Sequence, residues 1–187
     1  LSKEMARLSN YMEAYLQMLL EPQQRDKKLF DKLPASIYEL SDACQEYSFK
    51  IHVPGENAIL QRQFSSISHS MSILRGMAQS LCGGIKDNLT SESMHEMLRE
   101  RLGPEVWERW AKLSRKMMRT SFRAFVIGEK GLISQTQKLE SEFNYLSSQI
   151  RRDLGERFLF DRDISKTIGM ISLMQSLLGM SKVLAED

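Results

Sequence analysis

Four prolines and ten glycines in 187 residues leave most of this chain without a backbone punctuator. Alternating runs of Val, Ile and Thr are missing altogether, so a β-sheet has nothing to start from. Leu, Met, Glu, Lys, Arg, Gln and Ser dominate instead, which is the composition of helices, and the expected fold class is all-α. Cysteine is scarce as well. Cys44 and Cys82 are the two cysteines, nothing in their surroundings suggests metal or redox chemistry, and they read as buried reduced thiols of a cytosolic protein. Charge of one sign is also lacking, because a net charge of +2 and a pI near 8.5 are too mild to argue for nucleic acid or membrane by themselves.

Two further absences bear on function. Long apolar stretches such as 168–184 are interrupted by Gly, Ser, Gln and Lys, so no transmembrane segment is expected, and no signal peptide is visible. There is no Gly-rich phosphate loop, and His52 and His95 stand alone, with no Cys, His or Asp at metal-ligand spacing. Ser68-His69-Ser70 superficially resembles the phospho-accepting helix of a sensor kinase, yet it lacks the adjacent Glu and following Pro. The expectation is therefore a protein with no catalytic residues, no metal and no cofactor.

What the chain does have is helical periodicity. Phe64, Ile67, Met71, Leu74, Ala78, Leu81 and Ile85 recur at alternating steps of three and four, the a/d pattern of a coiled-coil seam, with Ser, Gln, His and Arg between them. Upstream, Met5, Leu8, Met12, Tyr15, Leu16 and Leu19 form a similar stripe. Ile37, Leu40, Cys44 and Tyr47 resume it beyond Pro22 and Pro34, so a first helix of about 2–50 is expected, either one rod bent at the prolines or two shorter helices in line. Pro54-Gly55 ends it. A second helix of about 56–125 follows, weakened at Gly83-Gly84 and at Gly103-Pro104. The turn at Gly128-Gly131 leads into a third, about 132–184, carried by Leu139, Phe143, Leu146, Ile150 and Leu154 and then by Ile164, Ile168, Ile171, Met174 and Leu178. The whole chain, 1–187, reads as a single helical domain.

Lys112, Arg115, Lys116, Arg119 and Arg123, with Lys130 across the turn, form a basic run containing no carboxylate between Lys112 and Arg123. Met117, Met118, Phe122 and Phe125 are interleaved. That is the pattern of a basic amphipathic helix that lies on anionic lipid or fits a partner groove, and these six cations are the membrane-contact candidates. Trp107 and Trp110, three residues apart, share one side of the helix and read as core or interface.

The segment Val106-Trp107-Glu108-Arg109-Trp110-Ala111-Lys112-Leu113 resembles the W-x-x-W segment in the second helix of the BAR domain of sorting nexins. Glu142-Phe143-Asn144-Tyr145-Leu146-Ser147, then Ile150-Arg151-Arg152-Asp153-Leu154 and Arg157-Phe158, resemble that family's third helix. Asp161-Arg162, Leu177-Leu178 and Glu56-Asn57 are similar in placement. The resemblance implies three long, kinked antiparallel helices forming a coiled-coil dimer, homo- or heterodimeric with a related BAR protein. It further implies binding to curved anionic phospholipid membrane, a cytoplasmic protein peripheral on endosomes, and a role in cargo sorting. Phe64, Ile67, Met71, Leu74, Leu81, Trp107 and Trp110 are then the dimer and core seam. The alternative is a compact bundle of six or seven helices serving as a soluble protein-interaction scaffold.

Overall fold

The stripe of Met5, Leu8, Met12, Tyr15, Leu16 and Leu19 winds into α1 (Ser2–Leu20), and all six side chains are buried, as the 3–4 spacing requires. The computed structural model describes residues 2–50, 58–89, 92–157 and 164–186. The expected turn at Pro54-Gly55, His52, Glu56-Asn57, Phe158 and Asp161-Arg162 lie outside these residues.

The chain does not continue in line after α1. Pro22 opens a short 3-10 turn, Pro22–Gln24, and the chain returns as α2 (Lys27–Lys50) packed along α1. Arg25 fixes the corner: its Nε donates to the Met18 carbonyl at 3.1 Å while its guanidinium lies 4.1 Å from the centre of the Phe30 ring. Phe30 in turn meets Tyr15 at 5.1 Å. The bent rod or in-line pair expected from the sequence is thus two helices folded back on each other as a hairpin.

The expected second rod is divided too. α3 (Ala58–Gln79) passes through a π-helical turn, Ser80–Ile85, into the short α4 (Lys86–Leu89), with helical backbone on both sides of the turn. The Gly83-Gly84 pair therefore loosens the helix without ending it. After α5 (Glu92–Leu102), Gly103 takes a left-handed φ of 79° and Pro104 begins α6 (Pro104–Ile127). A positive φ followed by proline at the first helical position resets the chain direction, so the break expected only as a weakness is complete. α6 ends at Gly128, whose φ of 70° lets its amide cap the Ala124 carbonyl at 2.7 Å. The turn predicted at Gly128-Gly131 is there, and α7 (Lys130–Arg157) starts inside it.

α8 (Ile164–Glu186) runs back along α7, with Gln175 bonded to Asn144, Lys182 to Glu140 and Gln137 to Glu186. It also lies antiparallel to α3, where the positions of Gly76 and Gly84 leave room for Met180 and Leu173. By length and composition α8 is apolar enough to cross a membrane, contrary to the sequence expectation, with a mean hydropathy of 1.4 over a window of which 44% is buried. In this fold it sits between α3, α6 and α7, the place of a core helix apolar on several sides.

Among the described residues there are seven helical rods, counting α3 to α4 as one, and no strand. The fold is all-α, and its architecture is the multi-helix bundle rather than three long antiparallel helices. The seam is accordingly used up within one chain for most of its length. Met71, Leu74, Ala78, Leu81 and Ile85 are buried, whereas Phe64 and Ile67 are half-buried. Leu74→Ala, at a site with no exposure, is expected to cost about 2–5 kcal/mol in urea denaturation, while Leu60→Ala, 43% exposed, costs under about 1 kcal/mol. Equal losses at both positions would contradict this assignment of the core.

Candidate interaction surface

α6 has one wide apolar face. Trp107, Trp110, Ala111, Ser114, Met117, Met118, Ser121 and Phe122 are all buried, against α5 at one end and α7, α8 and α1 along its length. An aromatic ladder crosses this region: His95 of α5 meets Trp107 edge-on at 4.8 Å, Trp107 lies 5.6 Å from Trp110, and Trp110 lies 5.6 Å from Phe143 of α7. Trp110 Nε1 donates to Ser147 Oγ at 3.1 Å, so the indole is buried with its polar atom satisfied. Ser121 and Ser181 hydrogen-bond across α6 and α8. Trp107 and Trp110 are core, the more ordinary of their two readings.

The opposite face carries the predicted cations. Lys112, Lys116, Arg119, Arg123 and Lys130 are exposed, and Arg115 is about one-third exposed. Two of them are already engaged by α1. Arg115 Nη1 lies 2.6 Å from Glu21, and Arg119 is hydrogen-bonded to Glu13. Arg115 Nε is buried without a partner. Among the described residues, Lys112, Lys116 and Arg123 have no carboxylate partner. Lys112, Arg115, Lys116 and Arg119 line one wall of a cleft of about 360 Å³ whose other wall is Glu13 and Gln17 of α1. Lys130 belongs to the next helix, at the turn.

Glu13, Gln17 and Glu21 were missed in the sequence. Their four-residue spacing puts Glu13 and Gln17 on one side of α1 with Glu21 following just beyond its end, which was a legible signal; that this side meets α6 was not. Met117, Met118 and Phe122, taken from sequence as the apolar half of a lipid-binding helix, are instead 0%, 0% and 3% exposed.

His95 was set aside as isolated, yet it is buried, with Nε2 3.2 Å from the Leu19 carbonyl at the end of α1. Its spacing from Leu98 and Leu102 would have placed it on the apolar side of α5. Burial lowers its pKa below the ordinary imidazole range, and the Arg25 and Arg99 charges act in the same direction, while the Leu19 and Leu20 carbonyls oppose them. The thiol of Cys82 is pushed up to about 12 by burial, and that of Cys44 is raised by the same cause, so neither is a thiolate at neutral pH. His69 is exposed. No group of three or more His, Cys, Asp or Glu able to hold a metal occurs among the described residues.

No family model matches the chain, and no curated protein or solved structure matches it.

A histidine whose folded pKa lies below its unfolded value favours folding while both states are neutral. That contribution is present above about pH 6.5 and is lost as the pH falls toward the folded pKa, where only the unfolded chain has gained its proton. The urea midpoint is therefore expected to fall between pH 7.5 and 5.5, and the fall to be smaller in His95→Gln. An unchanged slope in the variant would assign the effect to other groups.

Proposed function

We propose that this protein is a helical-bundle interaction scaffold that docks an acidic segment of a partner protein along the α1–α6 cleft. One observation carries the reading: the basic face of α6 is solvent-facing while the apolar face of the same helix is fully committed to the core. A helix that adsorbs to lipid as an amphipathic element must turn its apolar face toward the acyl boundary. Here that would expose Met117, Met118 and Phe122 by taking α6 out of the bundle. What remains on offer is a concave strip of charge bordered by hydrogen-bonding side chains, and a carboxylate-rich peptide complements it.

The cleft is graded in charge. Glu13 and Glu21 neutralise Arg119 and Arg115 and hold them in place, and Lys112, Lys116 and Arg123 supply the net positive field. Exposed pairs contribute little each, so affinity from this face is modest, additive over several contacts and sensitive to salt. Membrane curvature binding, which the sorting-nexin resemblance implies, calls for a long-rod architecture that this bundle does not have. An anionic bilayer is the competing occupant of the same cations.

Binding of a fluorescent Glu/Asp-rich peptide and of phosphatidylserine vesicles separates the two. The peptide is expected to bind the native chain in a salt-dependent manner and to lose on the order of tenfold affinity or more in Lys112→Glu/Lys116→Glu/Arg123→Glu. The control Lys138→Glu/Arg152→Glu on α7 leaves binding unchanged. Vesicle pelleting without peptide binding, or equal losses in both variants, overturns the proposal.

A further inference from the structure

The corner between α1 and α2 holds a second concavity, which shares no lining residue with the α1–α6 cleft. Its volume of about 460 Å³ falls within the range of small-molecule sites, roughly 300–1,000 Å³. Gln23 and Arg25 line it from the corner, and His95, Glu96 and Arg99 line it from α5, with Pro22 and Leu89 as its apolar part. His95 and Arg99 stand four residues apart, so both fall on the same side of α5. A smaller pocket of about 80 Å³ adjoins at Gln23, His95 and Arg99 and extends to Arg115 of α6, whose Nε is the buried donor without a partner.

Three of these groups are set to meet an anion. Arg25 is held by its Nε on the Met18 carbonyl and by the Phe30 ring, so its planar fork is fixed before anything binds and its terminal nitrogens remain to donate. Neither Arg25 nor Arg99 forms an ion pair with a carboxylate among the described residues. Both charges act on the His95 ring, which puts them around the same small volume. His95 itself is only 6% exposed, and its Nε2 faces the Leu19 carbonyl. A carbonyl can only accept, so Nε2 carries the proton of the neutral ring and Nδ1 is an acceptor. Exposed Glu96 opposes the arginines, which leaves the described lining with one excess positive charge.

Two guanidinium forks beside one acceptor nitrogen suit a phosphoryl group better than a carboxylate. A phosphomonoester brings three oxygens for the forks, and its second ionisation lies near pH 6, so a proton remains to be shared with Nδ1 close to neutral pH. A carboxylic acid ionises near pH 4 and has none to share. We propose that the corner cavity is a binding site for a phosphomonoester, held by Arg25, Arg99 and Nδ1 of His95. The esterified group then rests against Pro22 and Leu89. Two sources carry this chemistry, a free phosphorylated small molecule and a phosphorylated side chain of a partner protein. The site uses none of Lys112, Lys116 and Arg123, so it stands apart from the docking of an acidic segment in the α1–α6 cleft.

The complex holds one proton between Nδ1 and a phosphoryl oxygen that free His95 and free phosphate do not hold at pH 7.5. The charged groups about this ring are Arg25 at the corner, Glu96 and Arg99 on its own helix, and Glu21, Glu108 and Arg115 across the smaller pocket. Glu21 and Arg115 are already paired at 2.6 Å.

Calorimetric titration with inorganic phosphate and with glycerol 3-phosphate, at constant ionic strength, tests the site. Saturable binding of both is expected, and it is at least tenfold weaker in Arg99→Gln, an exposed position whose change leaves the helical circular dichroism intact. Affinity rises by up to about tenfold as the pH falls from 7.5 to 6.5, and His95→Gln removes that rise. In the native chain the His95 ring pKa, read by NMR, increases on binding, a measurement that needs no variant. Lys112→Glu/Lys116→Glu/Arg123→Glu keeps its phosphate binding while losing the acidic peptide. A phosphoserine peptide that outbinds glycerol 3-phosphate assigns the ligand to a partner protein, the reverse order assigns it to a free small molecule, and each upholds the site. No saturable binding up to about 20 mM phosphate, native affinity in Arg99→Gln, an unmoved His95 pKa, or a loss confined to the α6 triple variant overturns the inference.

Discussion

The burial of one broad face of α6 is the constraint on which the other placements depend. Trp107 and Trp110 are the largest apolar groups in the chain and fall three residues apart, so a single helix face must find cover for both. α5, α7, α8 and α1 supply it, and each meets α6 through a different residue: His95, Phe143, Ser181 and the pair Glu13 and Glu21. The small buried side chains Ser114, Ser121, Ser147 and Ser181 recur along these contacts and let the rods approach closely. Their hydroxyls bond to one another, to Trp110 or to backbone carbonyls, so close approach leaves few polar atoms unsatisfied. Ser41 Oγ and the Tyr15 hydroxyl are buried exceptions, and burial raises the Tyr15 pKa.

The same constraint produces the candidate site. A helix with charges at 112, 115, 116, 119 and 123 and apolar groups between them has two faces. Once the core takes one, the other must be solvent or a cleft wall. Basic residues in this position cost little in the isolated chain, since Arg115 and Arg119 are partly neutralised from α1. The remaining three keep their hydration until something anionic replaces it.

Periodicity made much of this legible. The α1 stripe, the all-helical class, the turn at Gly128 and the core placement of the tryptophans follow from spacing and turn chemistry alone. The rod lengths did not. A 3–4 alternation states which side of a helix is apolar, and it reads alike whether the cover is a second chain or a helix of the same chain folded back. Folding back depends on contacts such as Arg25 on Phe30 and on the φ of Gly103, and neither leaves a periodic trace. The pairing of Glu13 and Glu21 with α6 was hidden for the same reason, because it follows from the hairpin and not from either helix. His95 stands at helical spacing from Leu98 and Leu102, and that register, not the absence of metal-ligand neighbours, is what states its place in the core.

Phe64 to Ile85 shows both sides of the ambiguity within one helix. Its C-terminal part is a bundle helix, buried against α2 and α8 and opened by a π-turn. Its N-terminal part keeps the same 3–4 row, with Phe64 and Ile67 half-buried. Leu60 at 43% and Ile59 at 70% exposure leave apolar surface in water, at a cost on the order of 25 cal/mol for each Å². Ile67 packs against the core from its edge, so the row enters the core by degrees. Coiled-coil spacing in this chain thus states the apolar side of the helix, and from Met71 onward α8 of the same chain helps to supply its cover.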